Sequence, residues 1–139
     1  TVAAIIHHKG KFLLVEESVN DQKVINQPAG HLENNESITD AVIRETLEET
    51  CWDFEPKYIS GIYRWLHDNG ETYLRVCIVG DVLKEHTDKQ LDDGIERTVW
   101  LTEKEIRKLE NLRSPLVMKS IEDFLKGNKF PLTLIQDVT

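Results

Sequence analysis

The sequence has little cysteine, no long apolar run and no excess of basic residues. Its two cysteines, Cys51 and Cys77, form neither a CxxC pair nor part of a histidine cluster. A zinc site is therefore not expected. We interpret both thiols as reduced and partly buried, which is typical of a cytoplasmic protein.

Charge and hydropathy exclude two classes of partner. No apolar run approaches the roughly 20 residues that a helix needs to cross a bilayer. The formal net charge is -8, whereas nucleic acid and anionic membranes favour a basic surface. We therefore expect a small-molecule partner, bound through cations if it is anionic. The 139 residues predict one domain, residues 1–139, with a core of its own. We expect a monomer, and a dimer is the alternative.

The first half of the chain predicts a hairpin followed by a helix. "VAAIIHH" and "KFLLVEE" flank the Lys9-Gly10 turn and are rich in strand formers. "INQPAGHLE" carries turn signals that should end any regular element. Residues Ser37 to Thr50 have helical spacing of apolar positions, and Ser37 or Asn35 can cap the start.

The second half predicts two more strands, a short strand and two helices. After a break near Asp53 to Pro56, "KYISGIYRWLH" and "TYLRVCIVGDVL" are joined by the turn "DNGE". A polar loop then leads to the strand "RTVWL". A Thr102–Glu105 capping box begins one helix, and Ser114 caps the other. This order predicts an α/β or α+β sandwich with a mixed sheet.

Three glutamates lie within one helical turn. Residues three and four apart share a helix face, so Glu45, Glu48 and Glu49 direct their carboxylates into one small volume. Mg²⁺ or Mn²⁺ would remove the resulting repulsion, because hard divalent cations prefer oxygen ligands. The alternative is a solvated acidic face on which Arg44 pairs with Glu48.

The spacing around these glutamates favours the metal site. Gly30, Glu36 and the block Arg44 to Glu49 resemble the signature of the Nudix hydrolases, Gly-x5-Glu-x7-Arg-Glu-(aliphatic)-x-Glu-Glu-x-Gly-(aliphatic). Two positions depart from it. Thr46 replaces an aliphatic residue, and Cys51-Trp52 replaces the closing Gly-aliphatic pair. Cysteine tolerates positive φ less readily than glycine, so the second departure puts the turn after the helix in question.

The resemblance extends over nearly the whole chain. "NQPAGHLE" and "NLRSPLVMKSIEDF" are similar to the corresponding segments of the NudJ branch of bacterial phosphatases. This likeness implies an α/β/α sandwich around a mixed sheet and Mg²⁺-dependent hydrolysis. It also implies release of phosphate from nucleoside di- and triphosphates, hydroxymethylpyrimidine diphosphate and thiamine diphosphate.

Roles within the predicted metal site follow from the same comparison and from the chemistry. We assign Glu45, Glu48 and Glu49 as metal ligands, with Glu49 holding the central ion and Glu45 or Glu48 orienting or deprotonating the water. In this family the carbonyl of Gly30 often completes the metal shell. Arg44 is predicted to orient the cluster by pairing with Glu36 or Glu48.

A further acidic residue is expected from a distant loop, as in many family members. "LDDGIE" offers Asp92, Asp93 and Glu96. We predict Glu96 as the catalytic residue, because it lies just ahead of the Trp100 strand. The alternative is that all three are ordinary polar loop residues.

Substrate contacts are predicted from aromatic and basic residues. Trp65, Tyr73 and Tyr63 can stack on a pyrimidine or purine ring, although large aromatic residues more often lie in the core. Arg75 and Arg64 stand among apolar strand residues and can reach phosphates.

Three weaker candidates complete this set. Arg113 lies beside a helix start that attracts anions. Gln27 and His31 flank the Pro28–Gly30 turn close to the predicted metals.

The main alternative function is another Nudix specificity, a nucleotide-sugar or oxidised-nucleotide pyrophosphatase. A binding module that has lost catalysis is disfavoured, because all three glutamates are present.

Overall fold

Seven strands and three helices make up the fold. The computed structural model describes all 139 residues, Thr1–Thr139. In chain order the elements are β1 (Val2–His8), β2 (Lys11–Val19), β3 (Gln22–Asn26), β4 (Ala29–Gly30), α1 (Ile38–Thr50), β5 (Trp52–Leu66), β6 (Thr72–Glu85), β7 (Ile95–Leu101), α2 (Glu103–Arg107) and α3 (Pro115–Leu125). A 3₁₀ turn covers Leu132–Leu134. None of the helices is long and apolar enough to cross a membrane.

The strands form one mixed sheet. Its main order is β3-β2-β1-β6-β5, with β4 paired to β1 and β7 paired to β2. The β1–β6 pair is parallel and the other pairs are antiparallel. β1 lies in the middle of the sheet and has a core cluster on each face, so every residue from Val2 to Ile6 is buried.

Helices cover both faces of this sheet. Side chains alternate between faces along a strand, so Val2, Ala4 and Ile6 pack in one core cluster with α1. Ala3 and Ile5 pack in a second cluster with α2 and α3. The result is an α/β/α sandwich, which confirms the predicted fold class.

Local signals located most of the elements correctly. The β1–β2 hairpin turns at Lys9 and Gly10, both with positive φ. Ser37 caps α1 by accepting from the Asp40 backbone N–H. The Thr102 capping box is present, and the Ser114 hydroxyl caps α3.

Two predictions about strands were wrong. β3 was not predicted. The turn before it is formed by Asn20 and Asp21, which both have positive φ, and neither is the glycine that usually marks such a turn. β5 begins at Trp52 and continues through Pro56, where a break was predicted. β5 is the edge strand of the sheet and its register shifts at Pro56, so a residue without an N–H is tolerated there.

Candidate active site

The glutamates of α1 lie against the short segment that contains β4. β4 is held in place by its pairing with β1. The Ala29 backbone N–H donates to Glu49 Oε1 at 2.8 Å, and both Glu45 and Glu49 are buried. The predicted convergence of helix and turn is therefore present.

Gly30 allows this close approach. A Cβ atom at this position would overlap the carboxylate of Glu45. Any other residue would displace either the strand or the glutamate, so the glycine is required by contact and not by its φ angle.

Arg44 ties the cluster together. Its Nε and Nη2 donate to the two carboxylate oxygens of Glu36 at 2.9 and 2.7 Å. Its Nη1 donates to Glu45 at 2.9 Å and to Glu48 at 3.3 Å, and Nη2 also reaches the His31 carbonyl at 3.0 Å. The fork to Glu36 lowers the pKa of that carboxyl to about 2. The predicted pairing of Arg44 with Glu36 and Glu48 is present.

The three glutamates carry unusual electrostatics. Burial raises the pKa of Glu49 to about 8. The hydrogen bond from the Ala29 N–H lowers this pKa, while the negative charges of Glu17, Glu45 and Asp92 raise it further. Burial also raises the pKa values of Glu45 and Glu48. Carboxylates that are desolvated and close together favour a neutralising partner, either a proton or a cation.

The loop acid nearest to this cluster is Asp92. Its backbone N–H donates to the Glu48 carbonyl at 3.0 Å, and its charge raises the pKa of all three α1 glutamates. The sequence offers both Asp92 and Glu96 in this loop, and it is Asp92, not the predicted Glu96, that contacts α1.

Glu96 lies on the opposite face of the strand. The β2–β7 register passes from Glu16–Arg97 to Glu17–Ile95, so Glu96 falls at an irregularity. Its carboxylate accepts from the Ser18 hydroxyl at 2.6 Å. Since successive strand residues alternate between faces, a partner of Ser18 lies away from Glu17, which faces the glutamate cluster. The geometry does not bring Glu96 to the site.

Glu17 is an acidic residue of the site that sequence reasoning missed. It accepts from Asn26 Nδ2 at 3.3 Å and from Arg113 Nη1 at 3.5 Å, and its charge raises the pKa of Glu49. The sequence signal was weak: "VEES" places two acids at the end of an otherwise apolar strand.

A cavity of about 240 Å³ opens beside the cluster. Six of the predicted site residues line it: Gly30, His31, Trp65, Tyr73, Arg75 and Arg113. The rings of Trp65 and Tyr73 stack with centroids 5.5 Å apart and planes at 30°. Aromatic rings, two arginines and the Ala29–Gly30 segment that contacts the glutamates thus meet in one place.

Three predicted contacts lie outside the cavity wall. Gln27 is 1% exposed and is bonded within the protein to the Val117 carbonyl and to Arg75. Tyr63 donates to Asp123 Oδ2 at 2.7 Å and packs in the core under α3. Arg64 is exposed, because it neighbours Trp65 and so lies on the other face of β5.

Comparison with known proteins assigns the family. The family model of the NUDIX domain matches residues 1–120. The chain belongs to the Nudix family. It is 37% identical over 137 residues to the phosphatase NudJ of Shigella boydii, covering 99% of this chain and 90% of that protein. The Escherichia coli K12 phosphatase NudJ is 36% identical over the same share of each chain.

A solved Nudix structure is also closely similar. A Nudix hydrolase from Nitrosomonas europaea superposes with a TM-score of 0.96 at 46% identity, covering 99% of this chain and 95% of the other. These likenesses agree with the α/β/α sandwich. The protein is therefore a hydrolase of this family, whose members act on small pyrophosphate-containing molecules and generally use divalent metal ions.

Helix α1 ends at the position where the family signature has a glycine, although Cys51 stands there in this chain. Cys51 adopts the left-handed conformation, with φ 62° and ψ 18°, and its N–H donates to the Leu47 carbonyl. Its Sγ lies 3.5 Å from the Lys89 carbonyl, so the side chain is held by the following loop. The turn after α1, which the cysteine put in question, is therefore formed.

The residues present fit a divalent cation in their chemistry. Helix α1 offers three carboxylates. Gly30 has no side chain, so its own backbone can lie beside Glu45. As the side chains stand, no three of them converge to metal-ligand distance, because Glu45 and Glu48 turn towards Arg44 and Glu49 accepts from Ala29. A cation would have to draw them away from these partners.

Proposed function

We propose that this Nudix hydrolase cleaves phosphoanhydride bonds in nucleoside di- and triphosphates and in thiamine-pathway pyrophosphates, releasing phosphate. The latter include hydroxymethylpyrimidine diphosphate and thiamine diphosphate. One observation carries the proposal: a cavity with an aromatic stack and a buried arginine adjoins the glutamate cluster through Ala29 and Gly30. Similarity to the NudJ phosphatases along nearly the whole chain supports the reaction type.

The size of the cavity favours a small ring. Its volume of about 240 Å³ is below the roughly 300–1,000 Å³ typical of ligand pockets. A single pyrimidine on the Trp65–Tyr73 stack fits this volume better than a nucleotide-sugar does. Stacking on such rings contributes about 1–3 kcal/mol per base.

Mg²⁺ is the proposed cofactor, and Mn²⁺ is the proposed substitute. Glu45, Glu48 and Glu49 would hold it, with the Gly30 carbonyl as a further ligand. When bound, the ion would neutralise phosphate charge and lower the pKa of a coordinated water.

The chain's own groups have distinct proposed tasks. Arg44 restrains Glu45 and Glu48 on the side away from Glu49. Arg75 and Arg113 neutralise phosphate oxygens in the cavity. His31 lines the same wall and contacts the substrate. We assign the general base to Glu45, Glu48 or Asp92, because these carboxylates lie together at the α1 face.

A pyrophosphatase acting on a nucleotide-sugar or an oxidised nucleotide is the alternative. The metal site handles the diphosphate in either case, so the attached group must discriminate. A panel of diphosphates incubated with Mg²⁺, with products identified by mass, separates the two. The proposal predicts highest kcat/KM for hydroxymethylpyrimidine or thiamine diphosphate, and preference for a nucleotide-sugar would contradict it.

Isotope labelling identifies the bond that is cleaved. We propose attack on the terminal phosphorus, so that a triphosphate loses orthophosphate one step at a time. In ¹⁸O-water the label should appear in the first orthophosphate released. Label in the nucleoside monophosphate, with pyrophosphate as first product, would contradict terminal attack and leave the hydrolase family unaffected.

A further inference from the structure

Arg75 is a buried cation without a carboxylate partner. It is 7% exposed and lies in the wall of the cavity. Its Nη1 donates to Gln27 Oε1 at 3.3 Å, and its Nε has no partner in the protein. Buried arginines are usually paired with an acid, because an isolated charge is costly to remove from water.

The nearby acids form no ion pair with Arg75, although the charges of Glu17 and Glu49 partly offset its charge. Glu17 accepts from Asn26 and from Arg113, and Glu49 accepts from the Ala29 N–H. Burial accordingly lowers the pKa of Arg75. An anionic ligand in the cavity would meet a guanidinium that has no carboxylate hydrogen-bonded to it and one N–H without a partner.

Gln27 is the residue that fixes Arg75 in this state. Its Nε2 donates to the Val117 carbonyl of α3 at 3.0 Å, which directs its amide oxygen to the guanidinium. It begins the segment Gln27 to Gly30, in which the Ala29 N–H donates to Glu49 and Gly30 lies against Glu45. One short segment therefore positions both the glutamates and the arginine.

We propose that Gln27 is a positioning residue that orients Arg75 without neutralising it, so that the guanidinium is available to an anionic oxygen of a diphosphate substrate. A glutamate of the same length would form an ion pair with Arg75 and compete with the substrate. This inference rests on the proposed diphosphate class and not on the thiamine compounds.

The direct test is Gln27→Glu, with Gln22→Glu as the matched control. Gln22 is exposed at the start of β3, so its variant makes the same change in charge away from the cavity. KM for whichever diphosphate the enzyme cleaves should rise about tenfold in Gln27→Glu, as expected for loss of one charge-assisted hydrogen bond, with kcat nearly unchanged. The control should match the unmodified protein. An unchanged KM in Gln27→Glu would overturn the proposal.

A second variant separates charge from packing. Gln27→Met keeps the length of the side chain, loses both hydrogen bonds and leaves the charge of Arg75 uncompensated. KM should therefore rise less than in Gln27→Glu, whatever the two melting temperatures are. A KM in Gln27→Met equal to or above that in Gln27→Glu would mean that Gln27 has only a structural role, and the proposal would be wrong.

The unmodified protein offers a test that needs no variant to fold and no turnover. Methylenediphosphonate is a diphosphate analogue whose P–C–P bridge cannot be hydrolysed. It is titrated into the protein in the presence of Mg²⁺ while the assigned Arg75 Nε–H resonance is followed by NMR. A saturable shift supports the proposal even if every thiamine compound fails as a substrate. Saturation seen at other residues with no change at Arg75 would overturn it.

Discussion

Glu49 departs furthest from ordinary chemistry at the scale of single residues. It accepts from the Ala29 N–H, and burial raises its pKa to about 8. Such perturbed carboxyls are frequent at functional sites, because the environment that desolvates the group also strengthens its attraction for a cation.

Replacing Glu49 should separate activity from folding. Glu49→Gln keeps the shape and the acceptor for Ala29 but removes the ligand charge, so turnover with Mg²⁺ should fall by about 100-fold or more. Steady-state kinetics and circular dichroism measure the two effects. Glu110→Gln is the control, since Glu110 is exposed. Near-normal turnover in Glu49→Gln would refute its role as a ligand.

The same variant should be more stable than the unmodified protein at high pH when a chelator is present. Glu49 titrates near 8 in the folded state, against an ordinary value of 4.5. Between these values the folded state binds more protons than the unfolded state, so the free energy of unfolding falls as pH rises. Glu49→Gln has no ionisable group at this position, so its free energy of unfolding does not fall for this reason.

Urea unfolding at several pH values tests this expectation. The variant should exceed the unmodified protein by on the order of 2–4 kcal/mol above pH 8 and match it below pH 4.5. A constant difference across the range would mean that packing, and not ionisation, distinguishes the two.

At the scale of elements, the end of α1 depends on a residue with an unfavourable backbone angle. Cys51 has φ 62° at a position where glycine is common. Cys51→Gly and Cys51→Ala both lose the thiol, but only glycine relieves the backbone. The glycine variant should be more stable than the alanine variant by about 1 kcal/mol, measured by chemical denaturation. Equal stabilities would show that the left-handed angle costs nothing here.

The loop between β6 and β7 is a second element with a testable role. It packs on the end of α1 through hydrogen bonds from His86 N–H to Cys51 and from Asp92 N–H to Glu48. This contact brings Asp92 to the glutamates, while the β7 register leaves Glu96 with Ser18. Asp92→Asn should lower kcat at least about tenfold, which is the lower end of the range found for groups that support a metal site. Glu96→Gln should remain near normal, and the reverse order would restore Glu96 as the loop residue of the site.

At the scale of the whole molecule, a cation bound between α1 and Gly30 should stabilise the folded state. A ligand that binds only the folded state stabilises it by about 2.7 kcal/mol at 100 times its Kd. Mg²⁺ or Mn²⁺ should therefore raise the melting temperature by about 5–10 °C and support turnover. Ca²⁺ should support turnover poorly, because it favours looser coordination. Full activity after exhaustive chelation, or an equal thermal shift in Glu49→Gln, would contradict this.

The sequence by itself determined the features that depend on short-range geometry. Residues three and four apart share a helix face in any helix, so the grouping of Glu45, Glu48 and Glu49 on one side of α1 needed no tertiary information. The caps at Ser37, Thr102 and Ser114 are equally local, because each side chain bonds a backbone N–H two or three residues away. The strand formers on either side of the Lys9-Gly10 turn likewise predicted the β1–β2 hairpin.

Only the tertiary structure decided which distant residues join the glutamates. Glu17 and Asp92 come from β2 and from the β6–β7 loop, and their places depend on strand register and loop packing. A shift of one residue reverses the face on which a strand side chain lies, and the irregularity at Glu96 has no clear sequence signature. Gln27 was expected to touch the substrate, but the packing of α3 on the sheet supplies the Val117 carbonyl that turns it inward. Its role follows from a contact across 90 residues of chain.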